Sequence, residues 1–165
     1  VQGYSHHVYL EGYELPLYTV GPMDPAVHGN DVVLTSGGWI WVTQPTTRTA
    51  RRLTRSGGID ARPAWSPDGA SIAFVRDDTR ETSIVEIDVS TGEERTLVQE
   101  TGIELDPAYS PDGRLLYYAS AAAGDLDLWR LDLASGQTER LTTERGLERR
   151  PQPHPDGERV VYLSK

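Results

Sequence analysis

Arg62-Pro63-Ala64-Trp65-Ser66-Pro67-Asp68-Gly69 recurs as Asp106-Pro107-Ala108-Tyr109-Ser110-Pro111-Asp112-Gly113, and again as Arg150-Pro151-Gln152-Pro153-His154-Pro155-Asp156-Gly157. Pro63, Pro107 and Pro151 are each 44 residues apart, and self-similarity at such a period marks a repeat architecture. Asp88 and Asp132, Gly92 and Gly136, Leu97 and Leu141, and the series Ile59, Ile103, Leu147 keep the same step. A degenerate earlier copy begins at Asp24-Pro25-Ala26-Val27-His28 and places Trp41 on Val85 and Trp129. Pro25 to Pro63 is 38 residues, so this copy is six shorter, and the deficit falls before Trp41.

One unit reads as four short strands. The first is around Pro63 to Ser66, and Pro67-Asp68-Gly69 turns the chain, because Asp-Gly between two strand-like runs is a hairpin signal. Ser71 to Arg76 forms the second and Ser83 to Asp88 the third; a turn at Ser90-Thr91-Gly92-Glu93 leads to a fourth that ends at Leu97-Val98. Four antiparallel strands in a unit of this length is the spacing of β-propeller blades. Helical repeats would need uninterrupted runs at period 3.6, and 16 Gly and 11 Pro leave no room for them. The expected fold is all-β, a propeller of four-stranded antiparallel blades with a 44-residue repeat and about four blades.

Aromatic-Ser-Pro-Asp-Gly followed by an apolar strand resembles the TolB-type propeller repeat. Trp65 to Gly69 and Tyr109 to Gly113 fit it closely; His154 to Gly157 has His for Ser, and Val27-His28-Gly29-Asn30-Asp31 has lost the Pro-Asp pair. The lead-in, Tyr13-Glu14-Leu15-Pro16 through Asp24-Pro25, resembles the N-terminal propellers of secreted amidohydrolases or the start of tricorn-like proteins. Relatives of this type form rings of six or seven blades, so the resemblance implies part of a larger ring. It also implies, with a first residue that is Val and not Met, a periplasmic or secreted bacterial protein.

The expected layout is a lead-in over 1–23 with closing strands at His7 to Leu10 and Leu15 to Val20, then blades at 24–59, 60–103 and 104–147 and a half blade at 148–165. If the lead-in strands complete the half blade, the ring closes at four blades; otherwise the blades belong to a longer or multi-chain propeller.

A net charge of −9 repels phosphate backbones and anionic lipid, so no nucleic-acid partner is expected. No apolar run reaches the ~20 residues of a membrane-spanning helix. The chain has no Cys and therefore no disulfide or thiol chemistry. Gly-x-Ser-x-Gly and His-Glu-x-x-His are absent, which leaves no catalytic residue, metal ligand or cofactor assigned. His28 and His154 share the repeat position of Ser66 and Ser110, which points to turn hydrogen bonding, whereas the adjacent His6 and His7 would point to opposite strand faces.

The candidate binding residues stand just before the Pro of each first strand: Asp24, Arg62, Asp106 and Arg150, with Asp60, Glu104 and Glu148 two residues earlier. First strands line a propeller's channel, so alternating acid and base there could hold a peptide terminus, a small polar ligand or a cation. The same charges could equally tie neighbouring blades together by salt bridges. The sequence therefore predicts a non-catalytic module that binds a protein, peptide or small ligand, alone or within a larger polypeptide or an oligomer that completes the ring. The alternative is the propeller part of a hydrolase, of the amidohydrolase, tricorn or prolyl-oligopeptidase kind.

Overall fold

A computed structural model describes residues 21–165. The lead-in strands proposed at His7 to Leu10 and Leu15 to Val20, and the pair His6 and His7, lie outside the described residues. Fourteen strands and no helix make up the described chain. The first sheet is β1 (Met23–His28), β2 (Asp31–Ser36), β3 (Trp39–Gln44) and β4 (Thr49–Arg52). The second is β5 (Ile59–Trp65), β6 (Ser71–Asp77), β7 (Thr82–Asp88) and β8 (Glu94–Val98), and the third is β9 (Glu104–Tyr109), β10 (Leu115–Ser120), β11 (Asp127–Asp132) and β12 (Thr138–Arg140). β13 (Arg149–Pro153) and β14 (Val160–Leu163) form a fourth, two-stranded sheet. Each sheet is an antiparallel meander in chain order, as an all-β propeller requires.

The turn chemistry explains why the strands reverse where they do. Ser66 Oγ donates to Asp68 Oδ1 at 2.6 Å, the Ala70 N–H donates to the same oxygen at 3.0 Å, and Gly69 takes φ +71°. Ser110, Asp112 and Gly113 repeat this arrangement, with Ser110 Oγ to Asp112 Oδ1 at 2.6 Å. The short first unit loses its six residues at two turns. Gly29-Asn30 joins β1 to β2, and Gly37-Gly38, both at positive φ, joins β2 to β3.

The sheets stack face to face in chain order. One face of the first sheet, with Val33 and Ile40, meets Ile72, Phe74, Val85 and Ile87 of the second. The other face of the second sheet, with Ala73 and Ile84, meets Leu116, Tyr118 and Leu131 of the third. These side chains are almost wholly buried, and each aliphatic or Phe side chain so removed from water contributes about 1.5–3 kcal/mol. β13 packs on β9, β10 and β11 of the third sheet, and no comparable packing joins the first and fourth sheets among the described residues. The described blades thus form an arc.

The first strands begin earlier than the motif suggests: β5 starts at Ile59, and β9 at Glu104. Proline reads as a strand breaker because it lacks an N–H, but here each Pro sits in a β-bulge where no ladder donor is needed.

Candidate binding site

β1, β5, β9 and β13 are the innermost strands and neighbour one another across the arc. Each carries a bulge at the same repeat position. Ala61 pairs with Val75 and Ala64 with Ala73, so Arg62 and Pro63 together oppose Phe74 alone. The registers Met23/Ala26, Leu105/Ala108 and Arg149/Gln152 show the same slip. At each bulge the residue before Pro takes a left-handed backbone: Asp24 φ 50°, Arg62 φ 55°, Asp106 φ 55° and Arg150 φ 54°. Such values are uncommon for residues with a Cβ and run against the extended preference of a pre-proline residue. Their recurrence in four blades makes them a property of the repeat, and a bulge of this kind re-aims a side chain.

Those four residues line one cavity of about 600 Å³, together with the three residues from Pro that follow each of them, Trp65 and Tyr109 included. Its charges are used unequally. Arg62 is ion-paired to Asp106 across the seam between the second and third sheets. Asp106, whose side chain is only 8% exposed, also receives Arg149 Nε at 3.4 Å and the Arg150 N–H at 3.2 Å. Among the described residues Asp24 and the Arg150 guanidinium have no ion-pair partner. The middle pair therefore ties blades together, whereas Asp24 and the Arg150 guanidinium are unengaged among the described residues. Arg149 was not singled out in the sequence, where it reads as one Arg of the run Arg145 to Arg150.

Asp60, Glu104 and Glu148 do not join this lining. They are at most 2% exposed and lie within or between sheets. A regular strand would place them on the same face as the residue two further on, but the left-handed bulge breaks that alternation. Asp60 accepts Arg76 Nε at 2.7 Å and Nη2 at 3.1 Å. The Arg76 guanidinium is held more firmly protonated: its burial is outweighed by hydrogen bonds to Asp60 and Glu94. At the positions equivalent to Arg76 stand Ser120 and Ser164, so the other two acids meet hydroxyls instead. Glu104 lies 3.3 Å from Ser120 Oγ and 3.2 Å from Thr82 Oγ1, and Glu148 lies 3.1 Å from Ser164 Oγ. Burial raises the Glu104 carboxyl above its usual range.

The two described histidines act differently. His154 Nδ1 accepts the Asp156 N–H at 3.2 Å, which is the expected turn role. His28 has Asn30 where its repeats have Asp, and its Nε2 instead lies 3.1 Å from the Pro67 carbonyl in the next sheet. Its ring lies tilted against Trp65, centroids 5.6 Å apart, and the Trp65 Nε1 donates to the Ala26 carbonyl at 3.1 Å. Trp65 and Trp129 pack against the two cores as their repeat positions suggest. Sequence reading missed a second polar cluster at the seam of the second and third sheets. There the Tyr109 hydroxyl donates to Glu86 at 2.6 Å and Arg95 Nε donates to the same carboxylate at 2.6 Å. Burial and Glu86 push the Tyr109 phenol well up, so it remains a donor.

Comparison with known proteins bears on this geometry. No protein-family model matches the chain. A protein TolB homolog of Chlorobium luteolum is 32% identical over 78 residues, covering 44% of this chain and 18% of that protein. The structure of putative TolB from Agrobacterium tumefaciens superposes with a TM-score of 0.76 at 28% identity, over 83% of this chain and 51% of the other. TolB from Acinetobacter baumannii superposes at 0.78 with 25% identity, over 86% and 37%. The blades are of the TolB type. The propeller likeness extends to puromycin hydrolase at 18% identity with a TM-score of 0.63, over 82% of this chain and 26% of the other, which shows the fold alone. The chain spans about half, or less, of the TolB proteins it matches.

Proposed function

We propose that these blades are a non-catalytic binding module that takes an extended peptide segment of a partner protein into the cavity between the inner strands. The observation that carries this reading is the convergence on one cavity of four equivalent left-handed residues, two of them with charges of opposite sign that have no ion-pair partner among the described residues. The opposed charges of Asp24 and Arg150 suit a segment with an ammonium group at one end and a carboxylate at the other. Among the described residues the first strand of each sheet also has an unpaired edge, and its backbone groups can pair with an extended chain. A cavity of about 600 Å³ suits a ligand of a few residues. The likeness to TolB supports a periplasmic location and a place within a larger polypeptide.

Titration with short peptides, free and blocked at both ends, tests the reading by calorimetry, with tryptophan fluorescence, to which Trp65 in the cavity lining contributes, as a second readout. Free peptides should bind and blocked ones should not, and Asp24→Asn with Arg150→Gln should weaken binding at least tenfold. Binding unchanged in that double variant would sink the assignment. The second reading, a propeller that gates a hydrolase domain, draws on the likeness to puromycin hydrolase. It predicts that a catalytic domain adjoins these blades and that the same cavity selects its substrates.

A further inference from the structure

The repeat supplies its own control for what fills the space between two sheets. Two side chains of the first sheet bridge its seam with the second. The His28 ring lies tilted against Trp65, centroids 5.6 Å apart, and so close to Gly69 that a Cβ there would run into it. Arg51 Nη2 donates to the Val89 carbonyl across the same seam at 2.8 Å. At the seam of the second and third sheets the equivalent residues are Ser66 and Arg95, and Trp65 and Gly69 give way to Tyr109 and Gly113. Neither Ser66 nor Arg95 reproduces the bridge. Ser66 Oγ turns back to Asp68 in its own turn, and Arg95 lies along its own sheet on Glu86. A cavity of about 300 Å³ is left there, lined by Ser66, Glu86, Arg95, Tyr109 and Gly113 among others. Both sheets that enclose it have all four strands.

The second seam also differs from the first in charge. Glu86 stands where the first sheet has Val42, and its side chain is only 11% exposed. One of its oxygens accepts the Tyr109 hydroxyl and the other accepts Arg95 Nε, both at 2.6 Å. Asp68 and Asp112 add two carboxylates to the lining, each held below the usual carboxylate range by a serine hydroxyl and a backbone N–H. Three acids thus share one guanidinium, and the Arg95 side chain that carries it is 60% exposed. An ion pair with so exposed a member is weakly held, so another cation can take its place. We propose that this seam binds a flat organic cation, an amidinium, guanidinium or imidazolium group, which fills the place that the His28 ring takes in the first seam and pairs with Glu86 beside the Tyr109 ring. An aromatic ring next to a carboxylate suits such a group, and the cavity has the size of a small-ligand site. It shares only Tyr109 with the channel lining, and the inference does not rest on the peptide-binding reading.

The test is calorimetric titration of the whole 165-residue chain with benzamidine, and with benzamide as its neutral isostere. Benzamidine should bind at one site, and about tenfold or more tighter than benzamide. Ser66→His installs the ring of the first seam and should weaken benzamidine binding about tenfold, as should Glu86→Gln, both with unchanged circular dichroism. Arg95→Ala removes the competing guanidinium and should tighten binding several-fold. Asp24→Asn with Arg150→Gln, the variant that probes the channel, should leave benzamidine binding as it is. No saturable binding of benzamidine, equal binding of benzamide, or binding undiminished in folded Ser66→His would each overturn the proposal. Should Ser66→His or Glu86→Gln lose its dichroism, Arg95→Ala decides, and unchanged or weaker binding there contradicts the site. An acetylated and amidated arginine separates the sources of the cation. Its binding assigns the site to a side chain of a partner, and binding of benzamidine alone assigns it to a free small molecule; either result upholds the site.

Discussion

Glu104 has the same repeat position as Asp60, yet its environment is the opposite. Asp60 is neutralised by Arg76, whereas Glu104 faces Ser120 and Thr82, with Glu81 and Glu100 nearby. Burial raises its pKa, so folding disfavours its charged form. Its penalty is absent below the unfolded carboxyl range near ~4.3, and it grows as pH rises through the folded value. Glu104→Gln should therefore stabilise the protein at pH 8 by on the order of 1 kcal/mol and have no effect near pH 4. Urea denaturation at the two pH values checks this, and an equal difference at both would contradict it. Asp88 has the reverse sign: hydrogen bonds from the Ser90 hydroxyl and the Thr91 N–H lower it to about 2. Its contribution is present above the usual carboxylate range and is lost as pH falls through about 2. Gly69 and Gly113 form a second matched pair, at φ +71° and +72°. A Cβ on Gly69 would run into the His28 ring, whereas one on Gly113 would meet Pro67 at an ordinary 3.6 Å. Gly113→Ala should cost about 1–2 kcal/mol for its backbone alone and Gly69→Ala clearly more. His28→Ala should recover the excess in thermal melts.

Within each element, the bulged inner strand decides both fold and site. Asp106 anchors one such strand to its neighbours through Arg62, Arg149 and the Arg150 N–H. Asp106→Ala strips a nearly buried carboxylate from three donors and should cost about 2–3 kcal/mol. Arg62→Gln should cost less, because its side chain is 32% exposed. Chemical denaturation of the two variants ranks them, and the reverse order would mean that the seam does not depend on Asp106. The repeat and its turns were legible because Ser-Pro-Asp-Gly demands one local geometry wherever it stands. The placement of Asp24, Arg62, Asp106 and Arg150 around one cavity was legible too, since a shared repeat position puts them on equivalent inner strands. What could not be read was the bulge: nothing in Arg62-Pro63 announces a positive φ, and without it Asp60, Glu104 and Glu148 would share the channel face. Nor could the sequence show which charges are already engaged. Arg62 and Arg150 are the same residue at the same repeat position, and only the side chain of the first pairs with Asp106.

The whole molecule behaves as a stack in which each sheet is stabilised by its neighbours, the nearest-neighbour economy of repeat proteins. Among the described residues the second and third sheets have a neighbouring sheet on both faces, the first and fourth on one, and the fourth has two strands. This predicts that stability is uneven along the chain. Amide hydrogen exchange, followed strand by strand, tests it most directly. The account predicts that β6 and β10, in sheets covered on both faces, exchange slowly and that β14, in the two-stranded sheet, exchanges fast. Equal protection of β14 and β10 would contradict it, because a sheet would then hold its strands without neighbours on both faces.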